Sequence, residues 1–214
     1  MYRVFITWLF LGSTALGSIV DSQVFINEFH YDNDGADTGE FIEVVAPTSL
    51  SDLSAVTLTL YNGGNGVSYA GPTPLSSFAL RDIVNDFAFY TLDISLQNGA
   101  PDGLALAMAE QVQQFLSYEG VFTAADGVAA GLKSTDIGVS EPPSTPLGST
   151  LQLTGRGNSY FDFTWELLPA GTYGTINDRQ SLVPEPASVV GWCMGLAAVT
   201  LGWCARRNRR SLAV

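Results

Sequence analysis

Six acidic residues within sixteen positions are the strongest candidates for chemistry in this chain. Hard cations such as Ca²⁺ take roughly six to eight oxygen ligands, which loops rich in Asp and Glu supply. The sequence predicts a calcium loop as one hypothesis, with the ligands Asp32, Asp34, Asp37, Glu40 and Glu43. An EF-hand does not fit, because Ala36 takes its fifth place and Asp37 takes the place of its Gly. The alternative is a polar hairpin loop whose Asp and Asn side chains cap turns.

His30 is the only histidine, and strand alternation would place it on one face with Glu28 and Asp32. A hydrolase built on this trio is a conceivable third function. However, the chain holds no nucleophile motif such as GxSxG. Zinc catalysis usually needs two or three His or Cys ligands, and the predicted body offers one. We therefore predict that the chain is not an enzyme and has no cofactor, with calcium as the one candidate ion.

Charge is distributed unevenly along the 214 residues. All 21 acidic residues lie between Asp21 and Glu185, where the basic residues are only Arg81, Lys133, Arg156 and Arg179. Such an acidic body would repel phosphate backbones, so we predict no nucleic-acid partner. Both cysteines, Cys193 and Cys204, lie outside this body, which excludes a disulfide framework within it.

The elements that would position these side chains are β-strands, because apolar residues recur with a period of two. The predicted strands lie at 24–29, 40–45, 55–61, 87–92, 103–108, 112–118, 150–154 and 160–165. Asn-Gly pairs at 62–63, 65–66 and 98–99 supply the positive φ angles that tight turns need. Many short strands without a long helical pattern favour an all-β sandwich or barrel.

The segment VFINEFHYDNDGADTGEFIEVV resembles the opening of a lamin-tail-like domain. YNGGNG, LQNGAPDGLAL and VQQFLSYEG continue the similarity, and Phe161, Phe163 and Trp165 would form a late core strand. The resemblance implies an immunoglobulin-like β-sandwich, a fold that often accompanies hydrolases as an accessory module. Tyr61, Tyr69, Tyr160 and Trp165 could stack on sugars if exposed, but core burial is the expected role for most of them.

The N-terminal segment is typical of a secretory signal peptide. Arg3 precedes an apolar run, and Ala15-Leu16-Gly17 is the best cleavage site, with a site nearer Ser22 as the alternative. An uncleaved membrane anchor is the other interpretation of this segment. Cleavage would place the body outside the cytoplasm.

The other end combines three features in a fixed order. Pro184, Glu185 and Pro186 precede 19 residues without a charge, from Ala187 to Ala205. A helix of that length would span about 28 Å, close to the hydrocarbon thickness of a bilayer. An arginine cluster follows, formed by Arg206, Arg207, Arg209 and Arg210. Under the positive-inside rule these arginines would remain cytoplasmic. An ordinary tail anchor is the simpler alternative.

This order resembles the bacterial PEP-CTERM sorting signal. The resemblance implies an exosortase-type processing enzyme as a partner, which would recognise the Pro-Glu-Pro region and remove the helix. It also implies a bacterium with an outer membrane. Before processing, the helix would hold the chain in the inner membrane with the body in the periplasm, and afterwards the protein would reach the cell surface or an extracellular matrix.

The predicted organisation follows from these segments. It comprises a signal peptide (1–22), a lamin-tail-like β-sandwich domain (23–178), a tether with the Pro-Glu-Pro motif (179–187), a transmembrane helix (188–205) and a basic tail (206–214). The leading functional hypothesis is a non-catalytic structural or interaction module of the cell surface or biofilm matrix. The second is a module that binds calcium or an extracellular polysaccharide, and the third is a secreted hydrolase.

Overall fold

A computed structural model describes residues 19–184 as twelve β-strands joined by loops and three single-turn 3-10 segments. The strands are β1 (Phe25–His30), β2 (Phe41–Pro47), β3 (Val56–Asn62), β4 (Val67–Pro74), β5 (Ala79–Val84), β6 (Phe87–Asp93), β7 (Asp102–Met108), β8 (Gln111–Tyr118), β9 (Thr135–Asp136), β10 (Thr150–Gly157), β11 (Phe163–Leu168) and β12 (Gln180–Leu182). Within these residues no helix is long and apolar enough to cross a membrane.

The strands form two sheets. The seven-stranded sheet has the order β11-β10-β1-β2-β6-β5, with β12 running parallel to β10. The five-stranded sheet has the order β4-β3-β7-β8-β9. Neighbouring strands in both sheets pair antiparallel, except for the short strands β9 and β12. This arrangement confirms the all-β class predicted from the period-two pattern; the lamin-tail and immunoglobulin-like identity stays a prediction.

One apolar core joins the two sheets. Phe29 from β1 and Leu58 from β3 belong to the same buried cluster, and both are at most 1% exposed. Aromatic rings connect the layers: Tyr31, directly after β1, stacks on Tyr118 of β8 with ring centroids 4.1 Å apart, and the Phe29 ring of β1 lies 5.7 Å from the same Tyr118 ring. Each fully buried large side chain contributes about 1.5–3 kcal/mol of hydrophobic stabilisation.

The folded region is slightly longer than the predicted domain. Ile19 packs on the core, and the Val20 N–H donates to the Gln113 carbonyl at 2.9 Å. At the other end Leu182, in β12, is 1% exposed. The sheet therefore takes in residues assigned by sequence to the tether at 179–187, because Leu182 has a place in the core. Of the Pro-Glu-Pro motif only Pro184 is described; Glu185, Pro186, the predicted helix and the arginines lie outside the described residues.

Candidate functional site

A row of polar side chains crosses one face of the seven-stranded sheet. In the strand register, Glu28 lies opposite both Gln152 and Glu43, and Glu43 lies opposite Thr91. Directly opposed residues of antiparallel strands point to the same side. Glu28, Glu43 and Gln152 are nevertheless 0% exposed. Another segment of the chain must therefore cover this face of the sheet.

The cover is the loop between β11 and β12, residues 169–179, which we call the strap. Its backbone and side chains supply hydrogen bonds to the row beneath. Thr172 donates to Glu28 twice, from its N–H to Oε1 at 2.9 Å and from its hydroxyl to Oε2 at 2.7 Å. The Gly174 N–H donates to Glu43 Oε2 at 2.7 Å. The two buried carboxylates thus anchor the strap through its own backbone.

A buried amide network fixes the end of the strap. The Asn177 amide donates to the backbone carbonyls of Asn27 and Leu153, at 2.9 and 3.0 Å. The Asn27 amide donates to Glu43 Oε1 at 2.8 Å, while its oxygen accepts from Gln180 Nε2 at 2.6 Å. Because buried polar groups are expensive to leave unpaired, this network specifies one position for the strap.

A second set of contacts, made by Tyr173 and Arg179, holds the strap at the surface. The Tyr173 hydroxyl donates to Asp93 Oδ1 at 2.7 Å and accepts from Arg81 Nη2 at 2.6 Å. The Arg81 guanidinium also lies 5.0 Å from the centre of the Tyr173 ring. Arg179 pairs with Glu166 at 2.7 Å, although both side chains are substantially exposed. Exposed pairs of this kind contribute about 1 kcal/mol or less, so the buried carboxylates dominate the anchoring.

Burial raises the pKa of Glu28 and Glu43. For Glu43 the charge of Glu28 raises the pKa further, whereas the hydrogen bonds from Asn27 and Gly174 lower it. The ion pairs between residues 19 and 184 are His30–Glu141 and Arg179–Glu166, so neither of the two carboxylates has a cationic partner there. Two adjacent carboxylates in this setting disfavour double ionisation.

A second buried carboxylate, Glu141, closes the end of β1. Its Oε2 accepts from the backbone N–H groups of Tyr31 and Asp32, at 2.7 and 3.0 Å. Its Oε1 contacts His30 Nδ1 at 2.9 Å, and its own N–H donates to the Tyr31 hydroxyl at 2.8 Å. Glu141 is 0% exposed. It therefore acts as a structural cap that joins the 137–149 loop to β1.

This contact explains the state of His30. Burial disfavours its charged form, but the hydrogen bond and charge of Glu141 outweigh that effect and raise its pKa. The other ring nitrogen, Nε2, lies 3.2 Å from Asn33 Oδ1. Both ring nitrogens are thus engaged with Glu141 and Asn33, not with the predicted neighbours Glu28 and Asp32. Among the described residues no hydrogen bond joins His30 to Glu28 or Asp32, and Glu28 instead binds the strap.

Of the five predicted calcium ligands only Asp32 and Asp37 interact with each other, and the others have different partners. Glu43 binds the strap, and Glu40 Oε1 accepts from the Leu96 N–H at 2.8 Å. Asp37 Oδ2 accepts from Asn98 Nδ2 at 3.2 Å. Asp34 is exposed, whereas Asp32 is buried, and burial together with Asp37 raises its pKa. Among residues 19–184 no group of three or more His, Cys, Asp or Glu side chains is arranged to hold a metal ion.

We expect millimolar Ca²⁺ to leave the melting temperature of the protein unchanged. An ion that bound only the folded state would raise it with concentration. A thermal melt with and without Ca²⁺ checks this, with Mg²⁺ as the control for ionic strength. A Ca²⁺-specific rise that Asp32→Asn abolishes would contradict the expectation and restore the calcium hypothesis.

A cleft opens beside the strap. It has a volume of about 870 Å³, within the usual range for ligand sites. Its walls come from the ends of β1, β6 and β10, the loop before β2, and the strap. Its lining includes His30, Glu40, Phe41, Asp93, Ser149 and Tyr173.

No family model, no curated protein and no solved structure matches this chain. Its function is therefore inferred from its own residues.

Sequence reasoning missed the residues that define this region. Glu141 and Tyr173 stand in loops without a motif, and their partners lie 110 and 80 positions away in Tyr31 and Asp93. The tyrosines proposed for sugar stacking are placed differently: Tyr61 and Tyr160 are buried, as is Trp165. Tyr69 is partly buried, and its hydroxyl accepts from the Gln97 N–H. Tyr173, in the strap, is exposed. Apart from its being aromatic, nothing in the sequence around it pointed to a functional role.

Proposed function

We propose that the chain is an exported, non-catalytic interaction module of the cell surface or extracellular matrix, sorted through its Pro-Glu-Pro segment. The observation that carries this proposal is the order of three features: Pro184-Glu185-Pro186, an uncharged run of 19 residues and the arginine cluster. Together they resemble the PEP-CTERM signal. The predicted processing partner is an exosortase-type enzyme.

Two structural features support the proposal. The β-domain ends at Leu182, two residues before Pro184, and Pro184 is exposed. A processing enzyme could therefore reach the motif without unfolding the sheet. At the other end, Ile19 packs on the core and the Ser22 carbonyl accepts from the Tyr160 N–H at 3.0 Å. These contacts favour signal cleavage after Gly17 over a site nearer Ser22.

The proposal that the module is non-catalytic rests on the hydrogen-bond partners of its buried carboxylates. Glu28 and Glu43 are saturated with bonds to the strap and its network, and Glu141 caps β1. These roles stabilise the fold, because the hydrogen bonds of all three carboxylates go to groups of the domain itself. The third hypothesis, a hydrolase centred on His30, loses its proposed partners in this arrangement.

The sorting motif can be tested by substitution in the native cells. Replacing Pro184, Glu185 and Pro186 with Ala should retain the protein in the membrane fraction and remove it from the cell surface and medium. The matched control is Pro143→Ala, which changes an exposed proline in the 137–149 loop. Fractionation followed by quantitative immunoblotting measures both variants. Normal release of the triple variant, with normal abundance, would overturn the proposal.

A further inference from the structure

The chain contains three Asn-Gly pairs, at 62–63, 65–66 and 98–99. In such a pair the backbone nitrogen of the glycine can attack the side-chain amide of the asparagine, because glycine has no side chain to block the approach. The attack requires that the amide carbon can reach this nitrogen and that a base takes the proton of the glycine N–H. The three pairs differ in both respects.

Hydrogen bonds fix the first pair in place. The Asn62 side chain donates to Gln97 Oε1 at 2.7 Å and accepts from the Gly64 N–H at 2.9 Å. Asn62 also ends β3, where its backbone pairs with β4 on one side and β7 on the other. Its amide carbon therefore cannot turn toward the Gly63 nitrogen without breaking these contacts.

The second pair is fixed by its turn. The Gly66 N–H donates to the Asn62 carbonyl at 2.7 Å, and Asn65 Oδ1 accepts from the Val67 N–H at 2.9 Å. Gly66 is buried, and its carbonyl accepts from the Ala125 N–H at 2.7 Å. The nitrogen that would have to attack is thus already engaged in a hydrogen bond.

The third pair is held less firmly. Asn98 and Gly99 are exposed and lie between β6 and β7, outside the strands. No backbone–backbone hydrogen bond within residues 19–184 involves either residue. Asn98 Nδ2 donates to Asp37 Oδ2 at 3.2 Å, at the upper end of the usual range for a hydrogen bond. The Asn98 amide can therefore rotate toward the Gly99 nitrogen.

A buried carboxylate lies beside Gly99. Asp102 is 2% exposed, and its Oδ1 accepts from the Gly63 N–H at 3.0 Å, whereas Oδ2 has no hydrogen-bond partner among residues 19–184. A methyl group built on Gly99 would lie 3.3 Å from this second oxygen. Burial raises the pKa of Asp102, while the nearby N–H groups of Gly63 and Gly99 lower it. Asp102 Oδ2 is thus placed to accept the Gly99 proton.

We propose that Asn98 is a site of spontaneous deamidation, in which Gly99 supplies the nucleophile and Asp102 acts as the base. Asp102 Oδ2 takes the Gly99 N–H proton while the Gly99 nitrogen forms a bond to Asn98 Cγ. The Cγ–Nδ2 bond then breaks, and the NH₂ group takes a proton from a solvent water molecule and leaves as ammonia. The hydroxide that remains takes the proton back from Asp102. A second water molecule opens the cyclic imide.

The product carries an aspartate or an isoaspartate at position 98. The Asn98 amide donates to Asp37, but the new carboxylate can only accept, so this hydrogen bond is lost and two negative charges face each other. Asp37 also lines the cleft beside the strap. Deamidation therefore adds charge next to this cleft and weakens the contact between the loop before β2 and the loop before β7.

The test is peptide mapping by mass spectrometry of the purified full-length chain, kept soluble in detergent and incubated at neutral pH. Deamidation is followed by the mass gained when NH₂ is replaced by OH. We expect Asn98 to react at least about tenfold faster than Asn62 or Asn65, since a positioned general base contributes about 10²–10⁴-fold. These two asparagines are controls with the same Asn-Gly sequence in the same molecule. In concentrated urea the rate of Asn98 should fall and the other two should rise.

Two variants separate the base from the charge around Asn98. Asp102→Ser removes the carboxylate but keeps an oxygen that can accept from the Gly63 N–H, and it should slow the reaction at least about tenfold. The matched control is Asp37→Asn, which removes the other carboxylate beside Asn98 while its side-chain oxygen can still accept from Nδ2. It should react like the unaltered protein. Melting temperatures check that both variants are folded.

Four results would overturn the inference. They are equal rates for the three asparagines in the folded protein, a faster reaction of Asn98 in urea than in the fold, an unchanged rate in Asp102→Ser, and an equal loss of rate in Asp37→Asn. The first two need only the unaltered protein, so they decide the matter even if Asp102→Ser does not fold. None of the four depends on export, because the incubation uses purified protein.

Discussion

Glu141→Ala is expected to destabilise the fold by about 3–5 kcal/mol, because it removes one partner of a buried, hydrogen-bonded ion pair. The substitution leaves the N–H groups of Tyr31 and Asp32 without their acceptor and His30 without its counter-ion. Unpaired buried donors cost about 1–3 kcal/mol each. Urea denaturation of the variant and the unaltered protein measures the difference in the free energy of unfolding.

The control for this experiment is Asp21→Ala, which removes an exposed carboxylate ahead of β1. Surface substitutions away from special features usually change stability by about 0.5 kcal/mol or less. A loss below about 1 kcal/mol for Glu141→Ala would contradict the capping role. It would show that other groups hold the 137–149 loop on β1.

The second expected result is a difference between two isosteric substitutions under the strap. Glu43→Gln should cost about 1–3 kcal/mol, whereas Glu28→Gln should be neutral or stabilising near neutral pH. Both oxygens of Glu43 accept from donors, Asn27 Nδ2 and the Gly174 N–H. In Glu43→Gln the side-chain NH₂ group would face one of these two donors, and that hydrogen bond would be lost. The Asn27 amide cannot turn over to relieve this, because its oxygen already accepts from Gln180.

Glu28 has a more adaptable partner. The Thr172 hydroxyl lies 2.7 Å from Glu28 Oε2 and 3.0 Å from Asn177 Oδ1. When Glu28 carries a proton or is replaced by Gln, this hydroxyl can accept from it and donate to Asn177 instead. We infer that Glu28 is the member of the pair that holds the shared proton. Glu28→Gln reproduces that state and removes a like charge beside Glu43.

The same pair makes stability depend on pH. Because burial raises the pKa of Glu28 and Glu43, the folded protein retains protons that the unfolded chain releases above the ordinary glutamate range. Their contribution to stability is therefore greatest at mildly acidic pH and falls as the pH rises through the folded pKa values. Glu28→Gln should flatten this decline.

Urea denaturation between about pH 5 and pH 8 measures the decline for the unaltered protein and both glutamine variants. Taking the difference between each variant and the unaltered protein cancels the contributions of other carboxylates. Equal losses for Glu28→Gln and Glu43→Gln would contradict the assignment of the proton. A steeper decline in Glu28→Gln would contradict the account of the pair.

Local patterns of apolar residues and turn residues predict most of the strands in the two sheets. The eight predicted strands correspond to β1, β2, β3, β6, β7, β8, β10 and β11, because each alternates or runs apolar between turn signals. In the last of these, residues 160–162 form a 3-10 turn and Phe161 is 59% exposed, so the strand begins only at Phe163. Phe163 and Trp165 are buried, as predicted.

Four strands could not be predicted in this way. β4 contains Pro72 and Pro74 and lies at the edge of its sheet, while β5, at the other sheet's edge, exposes most of its residues. Neither needs the alternation of a half-buried strand. β9 has two residues and β12 has three, which is too short for an alternating pattern to be recognised. Each forms because it pairs with a longer strand, β9 with β8 and β12 with β10.

The candidate site depends on contacts that no local pattern encodes. The acidic residues near β1 were visible in the sequence, but their separate roles follow from partners far along the chain. Thr172 reaches Glu28 across 144 positions, and Gly174 reaches Glu43 across 131. In the sequence, the clustered carboxylates therefore suggested a bound cation. In the folded protein, Glu28 and Glu43 instead accept hydrogen bonds from backbone N–H groups and a hydroxyl group of the strap.

The most direct test of the central claim is the intact mass of the protein isolated from the surface and medium of the cells that make it. Export and sorting predict a mass that lacks residues 1–17 and everything after the Pro-Glu-Pro segment, with the domain from Ile19 to Leu182 retained. A mass that still includes residues 187–214 would contradict the claim. It would make the protein a membrane-anchored domain instead of a sorted one.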